Sequence, residues 1–304
     1  MANTRRFSAQ SWWQLLRAPN LFTVPGDPLA GFLLASHGRL DGRAIAAVAA
    51  SLLFYAFGLV LNDLTDFEED ARERPQRPLP SGQISREKAQ RAAGAMAFTA
   101  LSFCVLGGQG AFLMGAALLL AIGGYDLRLK KLAWAGALTM GACRGVSLLL
   151  GFAFASATLF PLPADVLCAA IFLTLYIAAV TNLARSETES AGPSKTAAYL
   201  PFLTLALGFA AFLKIHPLSL TTPAYIASCA MAVIALCAGF KVQQLAQKPQ
   251  AIIPPVIGKL IRLLLPLQAM FCLTFGTATS AVCAAILLTA WPLAFLLSRR
   301  FYAS

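Results

Sequence analysis

The feature that most constrains this chain is residues 92–125, 34 positions in a row without one charged side chain. A helix that long on a soluble protein needs a polar face toward water, and this run has no charges to offer one. Gly107, Gly108 and Gly110 fall near its middle, where glycine interrupts a helical pattern, so the run divides into a hairpin of two membrane crossings. Each half is short for a crossing at about 1.5 Å of rise per residue, so both stand close to the bilayer normal or draw on their flanking loops.

The rest of the chain repeats this pattern. Apolar runs cover residues 20–37, 43–66, 132–157, 165–184, 196–213, 217–240, 256–276 and 279–298. With the hairpin they make ten crossings. Ten places residues 1–17, the loops after crossings two, four, six and eight, and Arg299-Arg300 on one basic side, as the positive-inside rule asks. Nine is the alternative, because the run at 256–276 opens with Pro254-Pro255 and carries Lys259 and Arg262, which suits a short or tilted helix with snorkelling bases. The fold expected is all-α: a polytopic integral membrane protein, one domain over residues 1–304, with nine to ten transmembrane helices in a ring around a central cavity. Residues 1–17 are basic and carry Trp12-Trp13, which predicts an interfacial segment lying on the membrane. No small-residue cleavage pattern follows a short apolar core, so a cleaved signal is not expected.

Composition agrees and removes other classes. At 58% hydrophobic and 12% charged residues, too little polar surface exists to clothe a soluble globule of this length. The net charge of +11 sits mostly in short loops between apolar runs, as positive-inside topology places it, so no nucleic-acid partner is expected. The seven cysteines (104, 143, 168, 229, 237, 272 and 283) lie in apolar surroundings without a C-x-x-C pair, and read as small buried hydrophobes.

Acid is concentrated in one place. Of 13 Asp and Glu, seven (Asp63, Asp66, Glu68, Glu69, Asp70, Glu73 and Glu87) fall directly after the uncharged residues 44–61. If the helix continues through them, Asn62, Asp66 and Asp70 recur at i, i+4 and i+8 and share a face, with Asp63 beside them. Carboxylates so stacked repel, and a divalent cation relieves the repulsion; one or two carboxylates plus phosphate oxygens are the usual ligands of magnesium. The other reading is a solvated loop beside the membrane.

The order Asn62-Asp63-Leu64-Thr65-Asp66-Phe67-Glu68-Glu69-Asp70, then Arg72 and the run Arg77-Pro78-Leu79-Pro80-Ser81-Gly82, resembles the first aspartate-rich motif of the UbiA-type membrane prenyltransferases, N-D-x-x-D-x-x-x-D followed by a basic residue and R-P-L-x-S-G. The resemblance extends over nearly the whole chain. It implies that Asn62, Asp63, Asp66 and Asp70 hold Mg2+ on a prenyl diphosphate, with Arg72 and Arg77 near the diphosphate. Tyr125, Arg128, Lys130 and Lys131, in the polar loop after the hairpin, would face the same group, with Asp66, Asp70, Tyr125 and Lys130 carrying catalysis; a positive-inside anchor is the alternative for this loop. Arg17, Pro19 and Asn20 resemble the family's R-x-P-N or R-P opening of the first helix, which implies that Arg17 and Asn20 bind the acceptor. Asp27 and Arg144 are ionisable groups at membrane depth, and line an acceptor pocket or pair with each other.

After the sixth run the family carries a second aspartate-rich motif, where this chain has only Glu187 and Glu189. Glu loses more rotamer freedom on ordering than Asp, so a second metal site there is weakened. The EboC-like branch of the family, which departs at the same place, is the nearest resemblance. The function implied is an enzyme of bacterial-type inner or thylakoid-like membranes. It would move an isoprenoid group from a prenyl diphosphate to a lipophilic, aromatic acceptor with Mg2+ assisting diphosphate departure, and its acidic loops would be cytoplasmic. The alternative is a non-catalytic protein of the same fold that binds or translocates a prenylated or aromatic lipid.

Overall fold

The computed structural model describes residues 2–185, 195–216, 222–247 and 253–298. Every regular element among them is helical. In chain order these are α1 (Ala2–Leu15), α2 (Ala18–Leu21), α3 (Gly26–Ala35), α4 (Gly42–Thr65), α5 (Phe67–Glu73), α6 (Arg86–Leu106), α7 (Gln109–Leu127), α8 (Ala133–Ala155), α9 (Ala164–Arg185), α10 (Lys195–Ile215), α11 (Thr222–Ala246), α12 (Ile253–Arg262), α13 (Leu264–Leu273) and α14 (Ala278–Leu297). A 3-10 turn, Leu129–Lys131, joins α7 to α8.

Each boundary has a local cause. Asp41 caps α4 by accepting from the Arg43 amide at 2.8 Å, and 24 apolar-rich residues then run unbroken for about 36 Å, enough to cross a hydrocarbon core. The expected hairpin is α6 and α7, and Gly108 makes its turn at φ +93, a conformation open chiefly to glycine. The first apolar run is divided. Pro25 and Pro28 lack the amides that would continue α2, so the chain turns between Phe22 and Pro25 before α3 begins. Among the described residues nine helical spans are long and apolar enough to cross a membrane; the tenth run of the sequence count is this divided one. One of the nine is also bent. Pro266 offers no amide, and α12 gives way to α13 at Leu263, where Tyr176 Oη donates to the Leu260 carbonyl at 2.7 Å.

The cavity sits where these irregular helices meet. The α2–α3 segment, α4, α7, α8, α9 and the α12–α13 pair all contribute to its wall, while α6, α10, α11 and α14 pack outside them. Without a hydrophobic drive between helices in lipid, close approach depends on small residues. At the α3–α8 crossing a Cβ on Gly31 would fall 1.9 Å from the Leu148 carbonyl oxygen, and one on Gly151 the same distance from that of Pro28. Backbones at that separation let side chains from α3 and α8 meet inside the bundle. The end of α1 is docked on protein: Leu15 packs with Val60, Leu79 and Ile84, and Ser11 Oγ donates to Gln83 at 2.6 Å, while Trp13 stays half exposed.

Candidate functional site

The acid motif begins on α4 and ends on α5. Only Asp66 leaves helical geometry, and the backbone ladder carries through it: Asp66 N donates to Asn62 O at 2.9 Å and Asp70 N to Asp66 O at 2.8 Å. The spacing that stacks Asn62, Asp66 and Asp70 therefore survives the joint. Their side chains part company, however. Asp66 accepts from Asn62 Nδ2 at 3.0 Å and is bonded by Lys130 Nζ, which also donates to Thr65 Oγ1 at 2.8 Å. Asp70 is buried under Arg77, 2.6 Å away, with Arg74 at 4.0 Å. Asp63 is buried between Arg17 at 3.6 Å and Arg77 at 3.9 Å. Arg17 reaches it from a left-handed backbone, φ +45, that a branched or long side chain adopts at a cost. Each motif carboxylate thus has a base from elsewhere in the chain.

Two compartments meet at this motif. A cavity of about 350 Å³ is lined by Arg17, Asn20, Thr23, Ser51, Tyr55, Asn62, Tyr125, Asp126 and Arg144, and by apolar side chains that include Phe54, Leu118, Ile122, Ile177, Val180, Ile257 and Leu264. A polar cleft of about 410 Å³ is lined by Thr65, Asp66, Glu68, Glu69, Arg72, Asp126, Leu127, Lys130 and Lys131. Asp126 is on the wall of both. Arg185, at the end of α9, donates to the carbonyl of Lys130, a residue of the cleft, at 3.3 Å. Glu187 and Glu189 in that loop lie outside the described residues. Arg128 is exposed, and with Asp63, Asp70 and Arg77 it lines neither compartment.

Arg144 is fixed from behind. Its Nη1 lies 2.9 Å from Asp27 Oδ2, and Nη2 donates to the Thr23 carbonyl at 3.0 Å and to Thr23 Oγ1 at 2.9 Å. Gln268 Nε2 donates to the same carbonyl at 2.8 Å and to Asp27 Oδ1 at 2.6 Å. The turn between α2 and α3 frees the Thr23 carbonyl from the helix ladder, and two side chains from distant helices meet it. Asp27, in the first turn of α3, is completely buried and off the cavity surface. It holds the arginine; the arginine faces the cavity, with its guanidinium 5.9 Å over the Tyr55 ring.

The donor set suits a hard cation. Asn62 and Asp66 bring amide and carboxylate side by side, and Asp63 Oδ1 and Asp126 Oδ1 are buried carboxylate oxygens that accept no hydrogen bond. Among the described residues no three His, Cys, Asp or Glu side chains gather as a metal-binding group, so protein oxygens alone make a sparse shell.

The sequence matches the model of the UbiA prenyltransferase family over residues 28–249, most of its length. The chain belongs to the UbiA prenyltransferase family. It is 32% identical over 147 residues to the digeranylgeranylglyceryl phosphate synthase of Saccharolobus solfataricus, covering 47% of this chain and 51% of that one. The synthase of Methanoculleus marisnigri is 31% identical over 156 residues, 49% and 53% of the two chains. The chain thus spans about half the length of the curated relatives it matches. In fold it is similar to a UbiA homolog from Archaeoglobus fulgidus bound to GPP and Mg2+, with a TM-score of 0.67 at 18% identity over 93% of this chain and 99% of that one. A UbiA homolog from Aeropyrum pernix gives 0.59 at 17% identity, over 91% and 98%.

Against that family background, three parts of the site were not singled out in the sequence. Asp126 ends the long uncharged run and reads there as the start of a loop. Gln268 is a lone amide inside an apolar run, a signal that marks a buried polar contact but names no partner. Thr23 takes part chiefly through its carbonyl, which has no sequence signature.

Proposed function

We propose that this UbiA-family protein is an intramembrane transferase that moves an isoprenoid group from a prenyl diphosphate to a lipophilic acceptor. The observation that carries the reading is the joining of two unlike compartments at one wall: a largely apolar cavity and a cleft of acids and bases. A prenyl diphosphate has the same two halves. Mg2+, held by Asn62 and Asp66, would supply positive charge that eases departure of the diphosphate. Lys130, Lys131 and Arg72, around the same cleft, would meet the diphosphate's remaining charge.

On transfer the bond between the prenyl carbon and the diphosphate oxygen breaks, and the electron pair leaves with the diphosphate. The acceptor's nucleophilic atom then bonds to that carbon and releases its proton. Water must be kept from the allylic cation, and Leu118, Ile122, Ile177 and Val180 give the cavity dry walls. Arg144, locked by Asp27 and Thr23, would orient the polar group of the acceptor, with Arg17, Asn20 and Tyr125 on the same cavity. An aromatic hydroxyl or carboxylate suits it, and so does a glyceryl phosphate of the kind in the relatives' name. The departure at Glu187 and Glu189 keeps the EboC-like branch as the placement within the family. The concentration of bases around the cleft supports a cytoplasmic position for that end, in an inner or thylakoid-like membrane.

One observation favours a second reading. Because each motif carboxylate is paired with a base inside the fold, the same site could bind a prenylated lipid without chemistry. Incubating the purified protein with prenyl diphosphates of several lengths, with and without Mg2+, and following diphosphate release separates the two. Mg2+-dependent release that rises with an aromatic or glyceryl phosphate acceptor is expected. Binding without release under every condition would establish the second reading.

A further inference from the structure

We propose that Asp126 is a ligand of the divalent cation in this site, and that the cation binds tightly only with a diphosphate present to complete its shell. The inference rests on the transferase reading and deepens it.

Asp126 lies one residue from the end of α7, where the backbone leaves the helix at Arg128. It is the one acid on the walls of both compartments described above: Asn62 lines the cavity, Asp66 lines the cleft, and Asp126 stands on the partition. The residue is 3% exposed, and Oδ1 is buried without a hydrogen-bond partner. An anionic oxygen placed so is costly unless a cation meets it. Among the described residues no Lys or Arg forms an ion pair with Asp126, because the nearest bases are engaged elsewhere: Lys130 with Asp66 and Thr65, Arg17 with Asp63. The carboxylate therefore stands on the partition between the two compartments with its neutralising partner still to come.

The number of donors sets the second half of the proposal. Magnesium usually takes one or two carboxylates and completes its octahedron with water and phosphate oxygens. Asp66 and Asp126, with the Asn62 amide, make such a set, and no third acid joins them among the described residues. Phosphate oxygens then become part of the site, and metal and diphosphate bind cooperatively. Asp126 also supplies a second aspartate to a chain whose loop after α9 offers only Glu187 and Glu189.

Mn2+ serves as the spectroscopic probe. Its affinity for the detergent-purified protein is measured from the free-ion electron paramagnetic resonance signal, with and without geranyl S-thiolodiphosphate. The wild type should bind Mn2+ weakly alone and about ten-fold or more tightly with the analogue, and Asp126→Asn should lose about that factor. Glu87→Gln, which removes an exposed acid paired with Arg91 on α6, should lose nothing. Unchanged Mn2+ affinity in an Asp126→Asn protein that melts like the wild type overturns the proposal. Asp126→Ser is measured in parallel, and failure of both variants to fold also overturns it, since the carboxylate would then be structural. If the wild type itself takes up neither Mn2+ nor the analogue, the transferase reading falls, an outcome distinct from a wild type that binds and an Asp126→Asn that binds equally.

Discussion

Arg144 and Asp27 stand 2.9 Å apart on helices brought together by glycine, and among the described residues neither forms another ion pair. Taking away one member of a buried pair leaves an uncompensated charge, which costs about 3 to 5 kcal/mol. Arg144→Leu is expected to lose stability on that scale, and Asp27→Asn in the same chain to recover most of it, as measured by unfolding in mixed micelles. A well-folded Arg144→Leu that only weakens acceptor binding would place the arginine's role on the acceptor alone. The motif acids divide in the same way by their contacts. Asp66 lines the cleft and shares its carboxylate with Asn62 and Lys130, so Asp66→Ala should fold normally and lose Mg2+-dependent binding of a non-hydrolysable prenyl diphosphate analogue. Asp70 is buried beneath Arg77, so Asp70→Ala takes away the arginine's close partner at 2.6 Å, leaves it Asp63 at 3.9 Å, and should cost about 1 to 3 kcal/mol. Equal stability of the two variants, with analogue binding lost only in Asp70→Ala, would reverse this division.

At the scale of elements, the site depends on how closely α3 can approach α8. A methyl group on Gly31 or Gly151 would sit 1.9 Å from a carbonyl oxygen of the facing helix, which no side-chain adjustment relieves. Gly151→Ala should push the helices apart and lose about 1 to 3 kcal/mol as an overpacked contact does, and should loosen the Asp27–Arg144 pair. A melting temperature equal to the wild type's would show that the crossing is softer than its geometry. The crossing also shows where sequence reading stops. The apolar runs, the hairpin at Gly107-Gly108 and the acid motif are legible because each is written in neighbouring residues. The turn between α2 and α3 is not, since what stabilises it is a carbonyl at Thr23 met by Arg144 and by Gln268, far along the chain. Sequence identified Asp27 and Arg144 as charges at membrane depth and left open whether they pair. It missed Asp126 because a charge at the end of an apolar run looks like the first residue of a loop, whereas the end of α7 carries it inward.

Across the whole molecule the two ends of the bundle differ in chemistry. One end gathers Arg17, Arg72, Arg77, Lys130, Lys131 and Arg185 around the motif acids. The other, about 30 Å away at helical rise along α9 from Arg185 to Asp165, carries His216 at 3.0 Å from Asp165, and His37 and His216 both rest against the Phe275 ring. Those are the chain's two histidines. Under the proposed topology, in which basic loops stay on the cytoplasmic side, the cleft would face inward and the histidine end outward. Single cysteines test this directly, because Glu69 on α5 and Thr158 in the α8–α9 connection are both exposed and lie at opposite ends. With the unsubstituted protein as background for its own seven cysteines, Glu69→Cys should react with a membrane-impermeant maleimide in inverted vesicles and be protected in intact cells. Thr158→Cys should do the reverse. Labelling of both from the same side would overturn the arrangement of the ring, and an exchange of the two patterns would place the diphosphate cleft outside, away from the cytoplasmic supply of charged substrate that the proposed reaction needs.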